Sequence, residues 1–442
     1  MQLEALSEIM KSCGVVGAGG AGFPSYAKLN KKADTVILNC AECEPLFRMH
    51  RQLLAKYAFE ILTALEYVRT AVEAERVIVA VKPSYTDAIA AVKEKLESFP
   101  KTSIHLLHEV YPAGDEVITI YESTGRIVPP GAIPISVGCI VYNVETMLNT
   151  YYAVTEGRPV TKKYVTVGGA VKNPTTYHVP IGVRFSELVK LAGGETVDDA
   201  AYLSGGVMTG RLADLNEAVT KTTNAILVLP ENHPVIVKRK ARITMSIKRS
   251  MSSCCQCRTC TDLCPRHLLG HPIEPHLFMR AASKGMEHDI KAVLNTAFCA
   301  QCGVCEMYAC PQGLAPKTLI GEAKAALRAA GVKSPAPSEE CVVNPMREYR
   351  LVQMKRLLGR LGLTPYVVKA PLDDGEIKPP EIKIMMRQHI GAPAVSLVSI
   401  GDKVSAGDKI ADVGDKLGCG IFTPLGGEVI EKTDNYIVVR TR

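Results

Sequence analysis

Two dense runs of cysteine constrain this chain more than any other feature of its sequence. Cys254, Cys257, Cys260 and Cys264 form a C-x2-C-x2-C-x3-C-P run with Pro265, and Cys299, Cys302, Cys305 and Cys310 form a second run closed by Pro311. When two [4Fe–4S] clusters are bound side by side, the closely spaced thiolates of each run hold one cluster and the cysteine before proline reaches the other. We therefore predict two [4Fe–4S] clusters, one bound by Cys254, Cys257, Cys260 and Cys310 and the other by Cys299, Cys302, Cys305 and Cys264.

The two runs differ in one respect, because the second has four residues rather than three before its last cysteine. Structural zinc is the alternative reading of such runs, but a zinc ion needs two C-x-x-C pairs rather than a triplet closed by Cys-Pro. Cys255 has no ligand position in the first run, and we expect it to be a spectator. Two adjacent clusters would carry electrons one at a time.

Composition excludes several classes of protein. The 15 cysteines are odd in number and the chain opens MQLEALSE without an apolar signal segment, so we expect a cytoplasmic chain rather than a secreted disulfide scaffold. No stretch approaches the roughly 18 to 20 uninterrupted apolar residues that span a bilayer, so no transmembrane segment is predicted. A net charge of +7 with only 8 Phe and no Trp does not favour nucleic acid.

The first 110 residues alternate predicted helices and buried strands. The helical spacing of Leu3, Leu6 and Met10 is followed by a glycine-dense loop, residues 14–24, and Pro24 predicts a helix start after the loop. Strands are expected at 35–38, 76–81 and 103–107, with helices at about 52–70 and 85–97. This alternation is typical of an α/β layer with a largely parallel sheet.

Two features of this region are candidate binding elements. Gly17, Gly19 and Gly22 match G-x-G-x-x-G, which lets a backbone approach a phosphate closely, although no strand leads into it. The segment NCAECEP, residues 39–45, follows a strand at the end where α/β sheets bind ligands. Its Cys40 and Cys43 could form a redox pair, but we favour pocket lining because the usual surroundings of such a pair are absent.

Together the glycine loop, NCAECEP and residues 111–147 resemble the flavin-binding region of the 51 kDa subunit of respiratory complex I and the C subunit of the Rnf complex. The resemblance implies a Rossmann-like FMN- and NADH-binding module over residues 1–155. The residues that would hold FMN are Gly17, Gly19, Gly20, Lys28, Asn39, Glu42, Asn143 and Thr146. Phe23, Glu44 and Glu116 would face the nicotinamide of NAD(H), with Glu44 and Glu116 as catalytic residues.

The remaining segments resemble further modules of the same families. Residues 160–235 are similar to the soluble-ligand-binding β-grasp (SLBB-type) domain, 245–330 to a bacterial ferredoxin-like dicluster domain, and 381–442 to the barrel-sandwich hybrid. Residues 331–380 are predicted to be a linker with an amphipathic helix whose apolar face holds Leu351, Met354, Leu358 and Leu361. The overall expectation is a multidomain α/β and α+β chain. Lipoylation of Lys416 is a minor alternative, because the turn is shorter than the usual acceptor hairpin.

This order of modules resembles the cobalamin reductases of propanediol-utilisation microcompartments. The resemblance implies electron transfer from NADH through FMN and two [4Fe–4S] clusters to cob(III)alamin or cob(II)alamin. It also implies a corrinoid adenosyltransferase and microcompartment shell proteins as partners, and a location inside a microcompartment. An Rnf-like peripheral subunit exchanging electrons between NADH and ferredoxin is the alternative, and a pure binding module built on the β-grasp domain is a third hypothesis.

Overall fold

The N-terminal module is built around a small parallel sheet. The computed structural model of the chain describes residues 1–336 and 341–441, so residues 337–340 of the predicted linker lie outside the described part. The strands of this module are β1 (Thr35–Cys40), β2 (Arg76–Val81), β3 (Thr102–Leu106), β4 (Val110–Tyr111) and β5 (Cys139–Asn143). Its helices are α1 (Leu3–Ser12), α2 (Met49–Lys56), α3 (Ala58–Val72), α4 (Thr86–Lys95), α5 (Glu116–Thr124) and α6 (Val144–Glu156).

Four of these strands pair in the order β3-β2-β1-β5, and every pair is parallel. The runs TVILNC and RVIVAV are apolar on both faces because one hydrophobic cluster covers each side of the sheet. The predicted α/β layer is therefore confirmed. The helix predicted after Pro24 is wrong: a four-residue 3₁₀ turn, Ser25–Lys28, ends where Leu29 becomes extended at ψ 122°.

The second module has the mixed sheet expected of a β-grasp domain. It contains β6 (Lys162–Gly169), β7 (Thr175–Pro180), α7 (Phe185–Leu191), β8 (Ala200–Ser204), β9 (Arg211–Ala213) and β10 (Ala225–Pro230). Strands β6 and β7 form an antiparallel hairpin. Strand β10 lies beside β6 and runs parallel to it, so these two strands are central in the sheet. The apolar side chains of α7 pack on one face of this sheet.

The cysteine runs lie in a module of short helices. These are α8 (Pro234–Lys240), α9 (Ile243–Ser253), α10 (Thr259–Asp262), α11 (Pro265–Leu268), α12 (Pro275–Lys284), α13 (Ile290–Leu294) and α14 (Pro316–Ala329). A small core around Phe278 and Ile320 lies between them.

The segment before the terminal module is tied to two other modules. Its β11 (Val352–Gln353) pairs with β4, α15 (Met354–Arg360) follows, and β12 (Leu372–Asp373) extends the β-grasp sheet beside β7. The predicted helix is therefore present, but it begins after Leu351. Leu357 within the helix and Leu361 directly after it are buried, so the predicted apolar face omitted Leu357.

The terminal module is the expected sandwich of short strands. It contains β13 (Glu381–Met385), β14 (Val395–Ser396), β15 (Lys403–Val404), β16 (Lys409–Asp412), β17 (Ile421–Phe422), β18 (Gly427–Lys432) and β19 (Tyr436–Thr441). They form two sheets, ordered β13-β19-β18-β15 and β14-β16-β17, around one apolar core. Among the described residues, no helix has the length and apolar character needed to cross a membrane.

Candidate functional site

A cavity of about 260 Å³ lies beside the glycine loop, at the carboxyl ends of β1 and β5. Parallel α/β sheets bind ligands at this edge because strand ends and helix N-termini meet there. The residues lining the cavity are Gly17, Gly19, Gly20, Ala21, Gly22, Phe23, Ser25, Lys28, Asn39, Glu116, Val141, Tyr142, Asn143 and Thr146. We call this space the glycine-loop cavity. It brings together most of the residues that the sequence predicted for flavin.

The glycine loop is closed on itself and held against α6. Gly17 N donates to Phe23 O over 2.9 Å, and Val16 and Pro24 form an isolated antiparallel bridge. Ala18 N donates to Thr146 Oγ1 at 2.9 Å. A Cβ on Gly19 would lie 2.4 Å from Asn143 Nδ2, so only glycine fits there.

Three polar side chains are oriented toward the cavity. Asn143 caps α6 by accepting from Glu145 N at 3.0 Å, which fixes its carboxamide. Asn39 Nδ2 donates to Gly114 O at 3.0 Å, and its oxygen accepts from Ala41 N. The Ser25 hydroxyl is buried without a hydrogen-bond partner among the described residues. An unsatisfied hydroxyl in the wall of a polar cavity fits a bound ligand with many acceptors, such as FMN.

One charged pair forms the far wall of the cavity. Lys28 Nζ lies 2.8 Å from Glu116 Oε1 and also donates to Val141 O at 3.0 Å. Both side chains are partly exposed, so the ion pair can open toward a ligand at small energetic cost. Phe23 lies at the mouth of the cavity with 37% of its surface exposed.

Two predicted site residues do not line the cavity. Glu42 is buried below it, where its carboxylate accepts from His50 N at 2.7 Å and from Arg51 Nε at 2.9 Å. Glu44 points to the β-grasp module and accepts from Met208 N and Thr209 N. Both carboxylates are therefore occupied by protein donors. This arrangement argues against direct flavin contact by Glu42 and against nicotinamide contact by Glu44.

The Cys40–Cys43 pair is largely shielded from solvent, and charged side chains, among them Lys82, lie near it. Burial raises the pKa of Cys43 to about 11 and raises that of Cys40 further. Thiols that stay protonated react slowly, so this arrangement does not favour the redox-pair alternative. Within the segment NCAECEP, Cys40 is buried and Cys43 is partly exposed.

Four cysteines surround a small space at the surface of the helical module. Cys254, Cys257, Cys260 and Cys310 line this space together with Cys255, and Cys257 is exposed. Burial raises the pKa of Cys260 to about 12, and the nearby Cys310, Cys257 and Cys254 add to the effect. We call these four residues the outer thiol set. Thiolates that repel one another in this way are matched by the positive irons of a cluster.

The other four cysteines lie deeper, against the flavin-type module. Cys305 is buried, and burial is the main cause of the raised pKa of Cys302 and Cys305, with Cys264 and Cys299 contributing. We call Cys264, Cys299, Cys302 and Cys305 the inner thiol set. Its members raise one another's pKa, and Cys310 is not among them. This is the grouping expected if the last cysteine of each run binds the cluster of the other run.

The two runs follow the same backbone path. Gln256 and Gln301 occupy equivalent positions in the two runs, and their φ angles are both positive, at 52° and 56°. Arg258 and Gly303, which are also equivalent, have positive φ as well. The extra residue of the second run is absorbed by a π-helical turn, Val304–Ala309, where the first run has the short helix α10. The departure in spacing therefore leaves Cys310 able to reach the outer set.

The inner thiol set is joined by partly buried contacts to the segment that leads into Glu116, a residue of the cavity wall. Tyr111 donates its hydroxyl to Cys302 O at 2.6 Å. Asp115, the residue before Glu116, binds Arg266 at 2.9 Å, and Arg266 lies two residues after Cys264. Neither contact was predicted, since nothing in the local sequence pairs residues more than 150 positions apart. The cavity and the inner set are thus parts of one packed unit.

Comparison with known proteins identifies relatives over the full chain. The cobalamin reductase PduS of Salmonella typhimurium is 42% identical over 99% of this chain and 97% of its own length. The enzyme of the same name from Citrobacter freundii is 42% identical over 99% of this chain and 96% of its length. The chain belongs to the PduS cobalamin reductase family.

Other similarities agree with this family and with the fold. The C subunit of the Na⁺-translocating ferredoxin:NAD⁺ oxidoreductase of Acetobacterium woodii is 34% identical over 61% of this chain and 59% of its own length. Family models match a Nuo51 FMN-binding domain at 10–152, an SLBB domain at 164–212, a 4Fe-4S dicluster domain at 253–315 and an RnfC barrel sandwich hybrid domain at 362–440.

One solved structure shares the fold over much of the chain. The H2-reduced NAD⁺-reducing [NiFe]-hydrogenase superposes with a TM-score of 0.50 at 20% identity, covering 76% of this chain and 69% of the other. The full-length relatives confirm the predicted family, and the family models confirm the four predicted fold types together with an FMN-binding and a 4Fe-4S domain.

Proposed function

We propose that the protein is an NADH-dependent cobalamin reductase that passes electrons through FMN and two [4Fe–4S] clusters to cob(III)alamin or cob(II)alamin. The acceptor is suggested by full-length relatives named cobalamin reductase. The single structural observation that carries the electron-transfer part is that residues 111–116, which bring Glu116 to the glycine-loop cavity, contact the chain at the inner thiol set through Tyr111 and the Asp115–Arg266 pair.

FMN would occupy the glycine-loop cavity. It supplies the exchange between two-electron hydride chemistry and one-electron transfer. Gly17, Gly19 and Gly20 would allow close approach of the phosphate, and Asn39, Asn143 and Thr146 would hold the polar edge of the ligand. The buried Ser25 hydroxyl, which has no hydrogen-bond partner within residues 1–336 and 341–441, supports this placement. Glu42 would not contact FMN directly but would fix the start of α2 by accepting a hydrogen bond from His50 N.

NAD(H) would enter over Phe23 at the cavity mouth. Glu116, which is paired with Lys28, is the charged side chain best placed to contact the nicotinamide nucleotide. We assign Glu44 a positioning role, because its carboxylate holds the 208–209 loop of the β-grasp module against the flavin-type module.

The two thiol sets would carry electrons in a defined order. In the inner set Cys305 is buried and no cysteine is fully exposed, whereas the outer set has an exposed cysteine, Cys257. Electron transfer weakens steeply with distance, so the inner cluster would accept electrons from the flavin and the outer cluster would pass them on. Cobalamin would therefore meet the protein near the outer set, where the exposed Arg258 offers positive charge.

We further propose a location in the cytoplasm, within a propanediol-utilisation microcompartment, with a corrinoid adenosyltransferase and shell proteins as partners. The adenosyltransferase would consume the reduced corrinoid. This part rests on the name shared by the full-length relatives alone.

The decisive experiment is anaerobic purification with flavin extraction and iron counting, followed by an assay of NADH-dependent cob(II)alamin formation on the same sample. We expect one FMN and eight irons per chain, and cobalamin reduction without any added protein. A preparation that reduces ferredoxin readily but leaves cobalamin oxidised would instead support the Rnf-like alternative.

A further inference from the structure

The outer side of the glycine loop is covered by two other modules. Gly22 has φ +77°, and a Cβ there would lie 2.6 Å from His389 Cβ and 2.7 Å from Thr222 Cγ2. Ile390 N donates to Ala21 O at 3.0 Å, and Tyr26 Oη donates to Gly418 O at 3.3 Å. The loop that forms one wall of the cavity is therefore enclosed between its own sheet and the terminal module.

A buried lysine joins the three modules at this place. Lys221 is 2% exposed, and its Nζ donates to Gly14 O at 2.8 Å and to Gly420 O at 3.0 Å. Its backbone N donates to Gln388 Oε1 at 3.1 Å, and the next residue, Thr222, donates its hydroxyl to Gln388 O. Gly14 begins the glycine loop, and Gly420 and Gln388 belong to the terminal module.

The surroundings of Lys221 bury its amine but supply it with two carbonyl acceptors. Burial lowers the pKa of Lys221 to about 8, while Cys419 acts in the other direction, so the amine is still mostly protonated near pH 7. Two of its three N–H groups donate to these carbonyls. An alkyl side chain in its place would leave Gly14 O and Gly420 O buried without a donor, which is costly. Lys221 therefore fixes the start of the glycine loop relative to the terminal module.

We propose that the terminal module completes the flavin site, with Lys221 as a positioning residue that holds residues 14–22 in the shape that binds FMN. This inference rests on the proposed function, because it takes FMN as the ligand of the glycine-loop cavity. The flavin-type module alone would bind FMN weakly, since the outer contacts of Ala21 and Gly22 come from residues 389 and 390. The terminal sandwich acts here as part of a cofactor site.

The test compares FMN affinity in the full chain of two variants. Lys221→Met removes the amine, whereas Val439→Ala weakens the core of the terminal module without touching the loop. FMN is removed, and its dissociation constant is measured by fluorescence quenching under conditions where both variants are folded. We expect Lys221→Met to weaken FMN binding by roughly tenfold or more, because preorganisation of the loop is lost, and Val439→Ala to leave it nearly unchanged.

A second readout separates positioning from general loss of stability. Hydrogen exchange in the FMN-free protein should rise in Lys221→Met within residues 14–23, while β18 and β19 keep the protection of the unmodified chain. Uniformly faster exchange, or FMN affinity equal to that of the unmodified chain, would overturn the proposal. If the unmodified chain itself binds no FMN, the proposed function fails instead.

A second variant pair guards against misfolding of Lys221→Met. Ile390→Pro deletes the N–H that binds Ala21 O, and Ile390→Ala keeps it. The side chain of Ile390 is 47% exposed, so its truncation is tolerable. We expect weaker FMN binding in the proline variant only. Equal affinities for the proline and alanine variants would contradict a role of the terminal module in the site.

Discussion

Asp115 and Arg266 connect the wall of the glycine-loop cavity to the inner thiol set. One carboxylate oxygen of Asp115 caps α5 by accepting from Val117 N at 3.0 Å, and the other accepts from Arg266 Nη2 at 2.9 Å. The helix that presents Glu116 to the cavity is thus held by the residue that follows Cys264-Pro265. The pair is largely shielded from solvent.

Replacing Arg266 should slow electron transfer between the flavin and the clusters. Arg266→Met keeps the Asp115 cap on α5 but removes the ion pair that holds α5 at a fixed distance from the inner thiol set. We expect roughly tenfold slower cluster reduction after flavin reduction by NADH, because small displacements of reacting groups are expensive. Stopped-flow absorbance measures both phases. Arg280→Met, which removes an exposed ion pair of the same module, is the control and should behave like the unmodified chain.

Gly19→Ala should abolish tight flavin binding. The added methyl would lie 2.4 Å from Asn143 Nδ2, so either the loop or the capping carboxamide must move. We expect FMN affinity to fall by at least about tenfold with little change in folding. Gly359→Ala, a helical position where a Cβ meets nothing within 4 Å, is the matched control. Full FMN occupancy in Gly19→Ala would show that the flavin lies elsewhere.

Variants of the inner and outer thiol sets should differ in whether NADH reduces the cluster that remains. Cys302→Ala and Cys257→Ala should each lose about half of the iron, since each set holds one [4Fe–4S] cluster. In Cys257→Ala we expect NADH to reduce the remaining inner cluster rapidly, as seen by electron paramagnetic resonance. In Cys302→Ala the outer cluster should stay largely oxidised. The reverse pattern would contradict the order proposed for the clusters.

A buried ion pair lies at the interface between the flavin-type and β-grasp modules. Glu145 and Lys163 contact each other with side chains 1% exposed, and Lys163 also donates to Asn224 Oδ1 at 2.9 Å. Lys163→Met should cost about 3 kcal/mol or more, because it leaves a buried carboxylate unpaired. Urea unfolding measures the loss. The double variant Glu145→Gln/Lys163→Met should recover part of it, and strict additivity would show that the pair is not coupled.

Acid should weaken the contact between the helical module and the flavin-type module through His271. This residue is 2% exposed and lies 3.0 Å from Val128 O, and burial lowers its pKa to about 4. The unfolded chain binds the proton near pH 6.5, so stability is complete above that pH and is lost as pH falls toward 4. We expect a loss of about 1 kcal/mol between roughly pH 7.5 and 5.5.

His271→Gln keeps an N–H donor but cannot titrate, and its unfolding midpoint should therefore depend less on pH than that of the unmodified chain. His288→Gln, at an exposed position, should retain the original pH dependence. If both variants and the unmodified chain lose stability in parallel, His271 is not the responsible group.

Local spacing was enough to predict much of this protein. The eight cysteines of the two runs, the glycine loop and Asn39 were predicted from patterns that each span only a few residues of chain. The alternating apolar runs likewise predicted the parallel sheet, since a strand covered on both faces must be apolar throughout. The helix after Pro24 was predicted wrongly because the continuation of the turn depends on where Leu29 and the following residues pack.

Tertiary structure decided which predicted residues face the cavity. Glu42 and Glu44 follow the same strand end as Asn39, yet the donors that occupy them come from α2 and from the 208–209 loop. Lys221 carries no signal in the sequence TKTT, and its partners Gly14 and Gly420 are about 200 residues away on either side. Sequence patterns predict side chains whose positions are set by the backbone a few residues away. Contacts between modules depend on how whole surfaces fit, and only the folded chain determines them.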